Sequence, residues 1–214
     1  MKRDSMEASL MSQRENLVAR TPEELARAYD RLSAAPALGC DTETTGFSAK
    51  HSRLLSVQFS DGDLSVLVPV SEGVALGPLR GLLANPEQVK ILHNAKFDLP
   101  FLRAAGCPAR GVFDTMVAER LLTRGADQSS SLAETLYRYF AVDLDKTQRA
   151  AFTSKSWDGH WRDELIAYAL RDVVYLPELM RRQAAWLEQL GLTREFARQM
   201  QLMLAACERA SRKG

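Results

Sequence analysis

Three β-patterned runs lie close together in the first third of the chain, and they restrict its fold more than any other feature. Residues 37–41 form an apolar run ending in an acid. "RLLSVQFS" (53–60) alternates as a strand does, and "LSVLVPV" (64–70) follows across the turn Asp61-Gly62-Asp63. Short connections of this kind predict an antiparallel three-stranded meander that has to be covered on its faces. Residues 88–93 predict a fourth strand and Val112-Phe113 a short further one.

Most of the remaining pattern is helical. Thr21-Pro22-Glu23-Glu24 reads as a capping box opening a helix to Leu32. Helices are expected over 76–85, over 98–105 up to Gly106, from the N-cap Asp114 to Leu122, and from a second capping box at Ser131 to Phe140. A long helical stretch over 163–190 is kinked or split by Pro177. A last amphipathic helix carries Phe196, Met200, Met203 and Cys207 on one face. Strands first and helices around them make this an α/β chain with a mixed sheet.

Three stretches place polar groups where an apolar element meets a loop or presents a face. In "LGCDTETTGF", Asp41 and Glu43 are alternate residues of a strand, so their side chains share one side about 7 Å apart. Held that close without a cation they repel, and one tends to keep its proton. In "HNAKFDLPFL", Asn94 and Asp98 follow the fourth strand. In "IAYALRDVVYL", Tyr168 and Asp172 are four residues apart on one helical face, about 6 Å along the axis. Singly these are a turn acid, a helix cap at Asp98 and an amphipathic pair. Their order and spacing together point to chemistry.

Bulk charge argues against a protein that grips nucleic acid by overall electrostatics: 28 basic residues oppose 27 acidic ones, net +1. Cys40, Cys107 and Cys207 are too scattered for a zinc site and suit reduced thiols in a cytoplasmic protein. The first twenty residues lack the apolar core of a signal peptide, and no run is long enough to span a membrane. Neither GxGxxG nor GxxxxGK[ST] is present, which removes the common nucleotide-cofactor readings.

The series DTE, NxxxD and YxxxD, in that order, resembles the DEDD superfamily of 3′–5′ exonucleases, in its tyrosine branch. The sister branch would carry histidine where this chain has Ala167. "HNAKFDLPFL", "FDTM" (113–116), "SLAE" (131–134) and "LIAYALRDVVYLPEL" (165–179) are similar to proofreading domains of family A DNA polymerases. "LDKTQRAAFTSKSW" (144–157) is closer to ribonuclease D. The likeness covers residues 22 to 190.

This resemblance implies a ribonuclease H-like (DnaQ-like) fold: an antiparallel meander plus parallel strands, covered by helices. It implies an exonuclease domain over 21–192, with 193–214 as a helix packed on it and 1–20 as a flexible segment. The implied activity is 3′–5′ hydrolysis of single-stranded or frayed DNA, releasing nucleoside 5′-monophosphates. Two divalent cations, Mg²⁺ or Mn²⁺, would sit about 3.5–4 Å apart on oxygen ligands. By the same resemblance Asp41 bridges both, Glu43 and Asp172 complete the site of the attacking water, and Asp98 holds the second cation through water. Tyr168 orients the nucleophile.

For the substrate, Phe47 matches an apolar wedge between terminal bases, or is a core aromatic. Asn94 bonds the scissile end or fixes its loop, and Thr44 offers its backbone to the 3′ hydroxyl. Lys146, Arg149, Lys155 and Arg162 line the strand's path or are solvated. Trp157 and Trp161 stack on bases or are buried. His51, His93 and His160 have no ligand-like arrangement. The alternatives are a ribonuclease D-like enzyme trimming RNA and a non-catalytic nucleic-acid-binding module. Partners would be single-stranded DNA or RNA 3′ ends and a DNA polymerase or repair factor, with no membrane. The chain stops soon after its last helix, at "ERASRKG", as a stand-alone exonuclease would.

Overall fold

A computed structural model describes residues 14–124, 126–144, 147–153 and 155–212. Six strands form one sheet in the order β1-β4-β3-β2-β5-β6. They are β1 (Glu15–Val18), β2 (Ala37–Thr44), β3 (Leu54–Ser60), β4 (Leu64–Val68), β5 (Val89–Leu92) and β6 (Val112–Asp114). The expected meander is β2-β3-β4, antiparallel throughout, while β5 and β6 continue the sheet in parallel beside β2. The helices are α1 (Pro22–Leu32), α2 (Leu79–Ala84), α3 (Ala95–Ala104), α4 (Thr115–Thr123), α5 (Leu132–Phe140), α6 (Asp163–Val174), α7 (Leu176–Gln189) and α8 (Thr193–Arg212).

The two sheet faces are dressed differently. Leu38, Cys40, Val57, Phe59, Val66 and Val68 point to one side and make the main core with α1, α2, α3 and the apolar stripe of α8. The opposite side receives α6 over β2, β3 and β4, and α7 over β2 and β5. Beneath α6 the strands present Ser56, Gln58, Ser60 and Ser65, all buried. The alternation of "RLLSVQFS" therefore does not separate core from solvent; its polar side is a covered polar layer.

Local signals explain most of the element ends. Thr21 accepts from the Glu24 amide while the Glu24 carboxylate accepts from the Thr21 amide, closing the capping box. The helical stretch after residue 163 breaks at Tyr175, and Pro177 falls in the first turn of α7, where its missing N–H costs nothing. In α8, Met200 and Cys207 are buried and the Phe196 ring meets Phe113 at 4.7 Å.

Two expectations need correction. The flexible segment does not reach residue 20: Glu15–Val18 is a strand parallel to β4, with the Glu15 amide donating to the Asp63 carbonyl at 2.8 Å. Leu17 packs on the main core and Val18 on the cluster under α6, so even four residues have apolar groups for both faces. The rest of the expected flexible segment, 1–13, lies outside the described residues. The helix expected from Asp98 begins at Ala95, so Asp98 sits in its first turn and does not cap it.

Candidate active site

The site is built around β2. Asp41 and Glu43 point to the α6 side, and Asp172 enters from α6 itself. One carboxylate oxygen from each of the three lies within 4.8 Å of the other two. Gly39, on the same side two residues earlier, makes this approach possible. A Cβ there would sit 2.5 Å from the Val173 carbonyl oxygen and 3.1 Å from the Leu176 Cβ. Glycine inside an apolar strand allows a second backbone to come this close, and here it lowers the end of α6 onto β2. The pairing of β2 with β3 shifts register between Glu43 and Thr44, so the strand bends away just past the acids.

Asp98 reaches the same cleft from the other side of the sheet. Thr42, between the two acids, faces α3, and its hydroxyl donates to Asp98 Oδ1 at 2.6 Å. Asp98 is 1% exposed. Burial pushes its carboxyl up to about 7, against the pull of the Thr42 hydrogen bond. Asp41 is held well above the ordinary carboxylate range by burial first, then by the charges of Asp98, Glu43 and Asp172. Asp98 is thus outside the close trio but within its electrostatic reach.

All four acids line one cleft of about 730 Å³, together with Tyr168, Asn94, Thr44 and Phe47. Tyr168 packs its ring on Phe152, 5.8 Å between centroids, in an aromatic group completed by Trp157 and Trp161. Trp161 is buried and donates to the Ser71 hydroxyl, and Trp157, half-buried against it, lies with it outside the cleft lining, so this pair clamps the segment before α6. Phe47 is 84% exposed, which removes the core-aromatic reading; its edge meets Phe97 at 6.2 Å. Asn94 is exposed at the cleft in a left-handed conformation, φ 69°. The Thr44 hydroxyl is used locally, donating to the Gly46 carbonyl at 2.8 Å.

His93 also borders the cleft, and both ring nitrogens are engaged. Nε2–H donates to the Ser130 carbonyl and Nδ1 pairs with the Thr115 hydroxyl. Burial holds this imidazole down to about 4, so it is a neutral strut between β5 and the wall formed by Ser131–Ala133. His51 and His160 are exposed and outside the cleft lining. Arg162 is ion-paired with Asp158, and Lys155 is exposed away from the lining. Lys146 and the Arg149 side chain lie outside what is described. Sequence reasoning gave no site role to Gly39, Thr42, Phe152 or Ser131–Ala133, although the last two lie in the family-like stretches 144–157 and 131–134 and Gly39 stands out inside an apolar run.

The donor set suits a hard divalent cation. Three carboxylate oxygens converge, no thiolate or imidazole joins them among the described residues, and their mutual repulsion is relieved by positive charge. Acids converging on a mixed sheet, beside a cleft with an exposed aromatic rim, suit metal-assisted chemistry on a ligand that the rim can grip.

The family profile described as 3′–5′ exonuclease matches residues 17–183, and the chain belongs to that family, within the DEDD superfamily. Enzymes of this family depend on divalent metal. The chain is 31% identical over 173 residues to DNA polymerase I of Aquifex aeolicus, covering 80% of this chain and 28% of the polymerase. It is 35% identical over 167 residues to ribonuclease D of Jannaschia sp., covering 74% of this chain and 42% of that enzyme. It therefore spans less than half the length of these relatives. Among solved structures, Brucella melitensis NrnC superposes with a TM-score of 0.77 at 26% identity, covering 91% of both chains. NrnC bound to pGG matches equally well, TM-score 0.77 at 25% identity. Among the described residues, no helix is long and apolar enough to cross a membrane.

Proposed function

We propose that this chain removes nucleotides one at a time from single-stranded or frayed 3′ ends, with two divalent cations, Mg²⁺ or Mn²⁺, held by Asp41, Glu43, Asp98 and Asp172. The convergence of Asp41, Glu43 and Asp172 within 4.8 Å carries this reading, because a divalent cation between three carboxylates relieves a repulsion that only retained protons would otherwise relieve. Bound there, divalent cations supply the positive charge that acidifies an attacking water and stabilises the leaving alkoxide. They also reverse the local sign that would repel a phosphate.

The chain's own groups then have separate tasks. Asp41 faces both neighbours: Glu43 and Asp172 on its own side of the sheet, and Asp98 through the charge it exerts. Tyr168, one helical turn before Asp172 and braced by Phe152, directs its phenol to orient the incoming water. The Phe47 ring, free at the rim, stacks on or parts the last bases, while Asn94 and the Thr44 backbone hold the terminal nucleotide. Water adds to phosphorus, the P–O3′ bond breaks, and a nucleoside 5′-monophosphate leaves a shortened strand ending in a 3′ hydroxyl.

DNA is the first substrate reading, from the stretches that resemble polymerase proofreading domains. A second, RNA or short oligonucleotides, is favoured by the ribonuclease D relative and by NrnC, matched over nearly its whole length and solved with pGG. Matched labelled DNA and RNA single strands, incubated with Mg²⁺, Mn²⁺ or EDTA, separate the two. The expected result is a one-nucleotide ladder from the 3′ end, abolished by EDTA and by Asp41→Ala or Asp172→Ala. A ladder that persists in EDTA overturns the metal mechanism; the faster of the two strands sets the substrate.

A further inference from the structure

We infer that Asp114 is a positioning residue for this site, fixing the direction from which α3 presents Asp98. The inference rests on the metal-site reading above for its functional meaning and on the following geometry for its substance.

Asp114 ends β6 and is 2% exposed. Its carboxylate is surrounded by four backbone N–H donors from two helices. Oδ1 accepts from Asn94 at 3.1 Å, Met116 at 2.8 Å and Val117 at 3.2 Å, and Oδ2 accepts from Ala95 at 2.7 Å. The Met116 and Val117 bonds are an ordinary N-cap of its own helix, α4. The other two bonds cap α3 from a different part of the chain.

That second capping has no local substitute. Asn94 occupies the N-cap position of α3 but makes no side-chain cap bond. It stands at φ 69°, in the left-handed region that residues with a Cβ seldom adopt, and its own amide is one of those Asp114 holds. One turn further on, Asp98 meets Thr42 of β2. The first turn of α3 is thereby fixed at two points, Asp114 at its start and Thr42 at its acid. Release of the first lets Asn94 relax toward ordinary dihedrals and swings Asp98 off its line to the trio. A chain of contacts β6–α3–β2 thus sets the place of the fourth carboxylate.

The test uses the full chain with Asp114→Ala, Asp114→Asn, Asn94→Gly and the Asp114→Ala/Asn94→Gly pair. Leu79→Ala, a core truncation on α2, serves as the comparator for general destabilisation. Two readouts are taken: Mn²⁺ binding followed by electron paramagnetic resonance, and amide hydrogen exchange at Asn94 and Ala95 without metal. Asp114→Ala is expected to raise the Mn²⁺ half-saturation concentration at least tenfold and to speed exchange at both amides. Asp114→Asn, which keeps one acceptor oxygen, should fall between, and stands in if the alanine variant does not fold. Glycine adopts the left-handed conformation freely, so Asn94→Gly should restore at least threefold of the Mn²⁺ affinity lost in Asp114→Ala. Leu79→Ala should lower the melting temperature without moving Mn²⁺ binding.

Unchanged exchange at Asn94 and Ala95 in the Asp114 variants overturns the inference, whatever the metal result. So does wild-type Mn²⁺ affinity in those variants, or a Leu79→Ala loss equal to theirs. A wild-type chain that binds no Mn²⁺, with Asp41→Ala indistinguishable from it, defeats the metal-site reading instead.

Discussion

The carbonyl oxygen of Val173 occupies the space into which Gly39 would extend a side chain, 2.5 Å from where its Cβ would lie. The residue before Val173 is Asp172 and the next residue facing the same way on β2 is Asp41, so this contact sets the distance between two acids of the site. Gly39→Ala must push α6 outward, since the blocking atom is backbone and cannot rotate away. We expect about 1–3 kcal/mol lost in urea denaturation. We also expect at least a tenfold loss of exonuclease rate, because Asp172 withdraws with the helix. A variant that is destabilised yet fully active would show that the acids tolerate a wider gap.

Asp41 and Asp98 hold their protons more tightly in the fold than in the unfolded chain, whose carboxyls titrate near 3.8. In EDTA, the contribution of these two acids to stability is therefore fully present below pH 4 and is lost as the pH rises through the folded values, near 7 for Asp98. Asp98→Asn keeps an acceptor for Thr42 and cannot ionise. It should raise the metal-free stability at pH 8 by on the order of 2–4 kcal/mol and change little at pH 4. Mg²⁺ should stabilise the wild type at pH 8 and the variant far less. Thermal melts at pH 4, 5 and 8, with and without Mg²⁺, read all of this; flat metal-free melts across that range would contradict it.

Phe47 is too exposed to matter for folding, so Phe47→Ala should leave stability within about 0.5 kcal/mol. It should raise KM for single strands several-fold with a smaller change in kcat. Tyr168→Phe should do the reverse, slowing turnover roughly 10–100-fold with Mn²⁺ half-saturation unchanged. Steady-state kinetics on one labelled oligonucleotide distinguish the two patterns. Loss of Mn²⁺ affinity in Tyr168→Phe would reassign the tyrosine to the metal site.

A chain starting at Thr21, where the sequence pattern alone draws the boundary, lacks β1 and leaves the fully buried strand β4 with a bare edge. We expect it to lose roughly 2–4 kcal/mol through Leu17 and Val18 alone and to aggregate, as open edges do. A chain starting at Arg14 should do neither. Light scattering and melting temperature compare the two.

The meander, the split at Pro177 and the N-cap at Asp114 were legible because each is written in neighbouring residues: alternation, a proline, an acid before a helix. That Asp41, Glu43, Asp98 and Asp172 meet in one cleft was legible from order and spacing. Thr42 was not, because a threonine between two acids on a strand has no pattern of its own. Its importance comes from Asp98, fifty-six positions on. The second role of Asp114 was hidden for the same reason, since a cap given to a distant helix leaves no mark near that helix. β1 was missed because four residues after a polar stretch carry too little periodicity to stand out. Trp157 and Trp161 could be placed only by the partners they meet, Phe152 and Ser71.

Consecutive residues of β2 serve opposite sides of the sheet, with Gly39, Asp41 and Glu43 turned to one helix and Thr42 to another. The centre is thus encoded as a parity, odd positions on one side and even on the other. Single replacements along β2 damage one half of it at a time. A one-residue insertion or deletion would trade the two halves wholesale, so variation in length should be excluded from this strand even where variation in composition is tolerated.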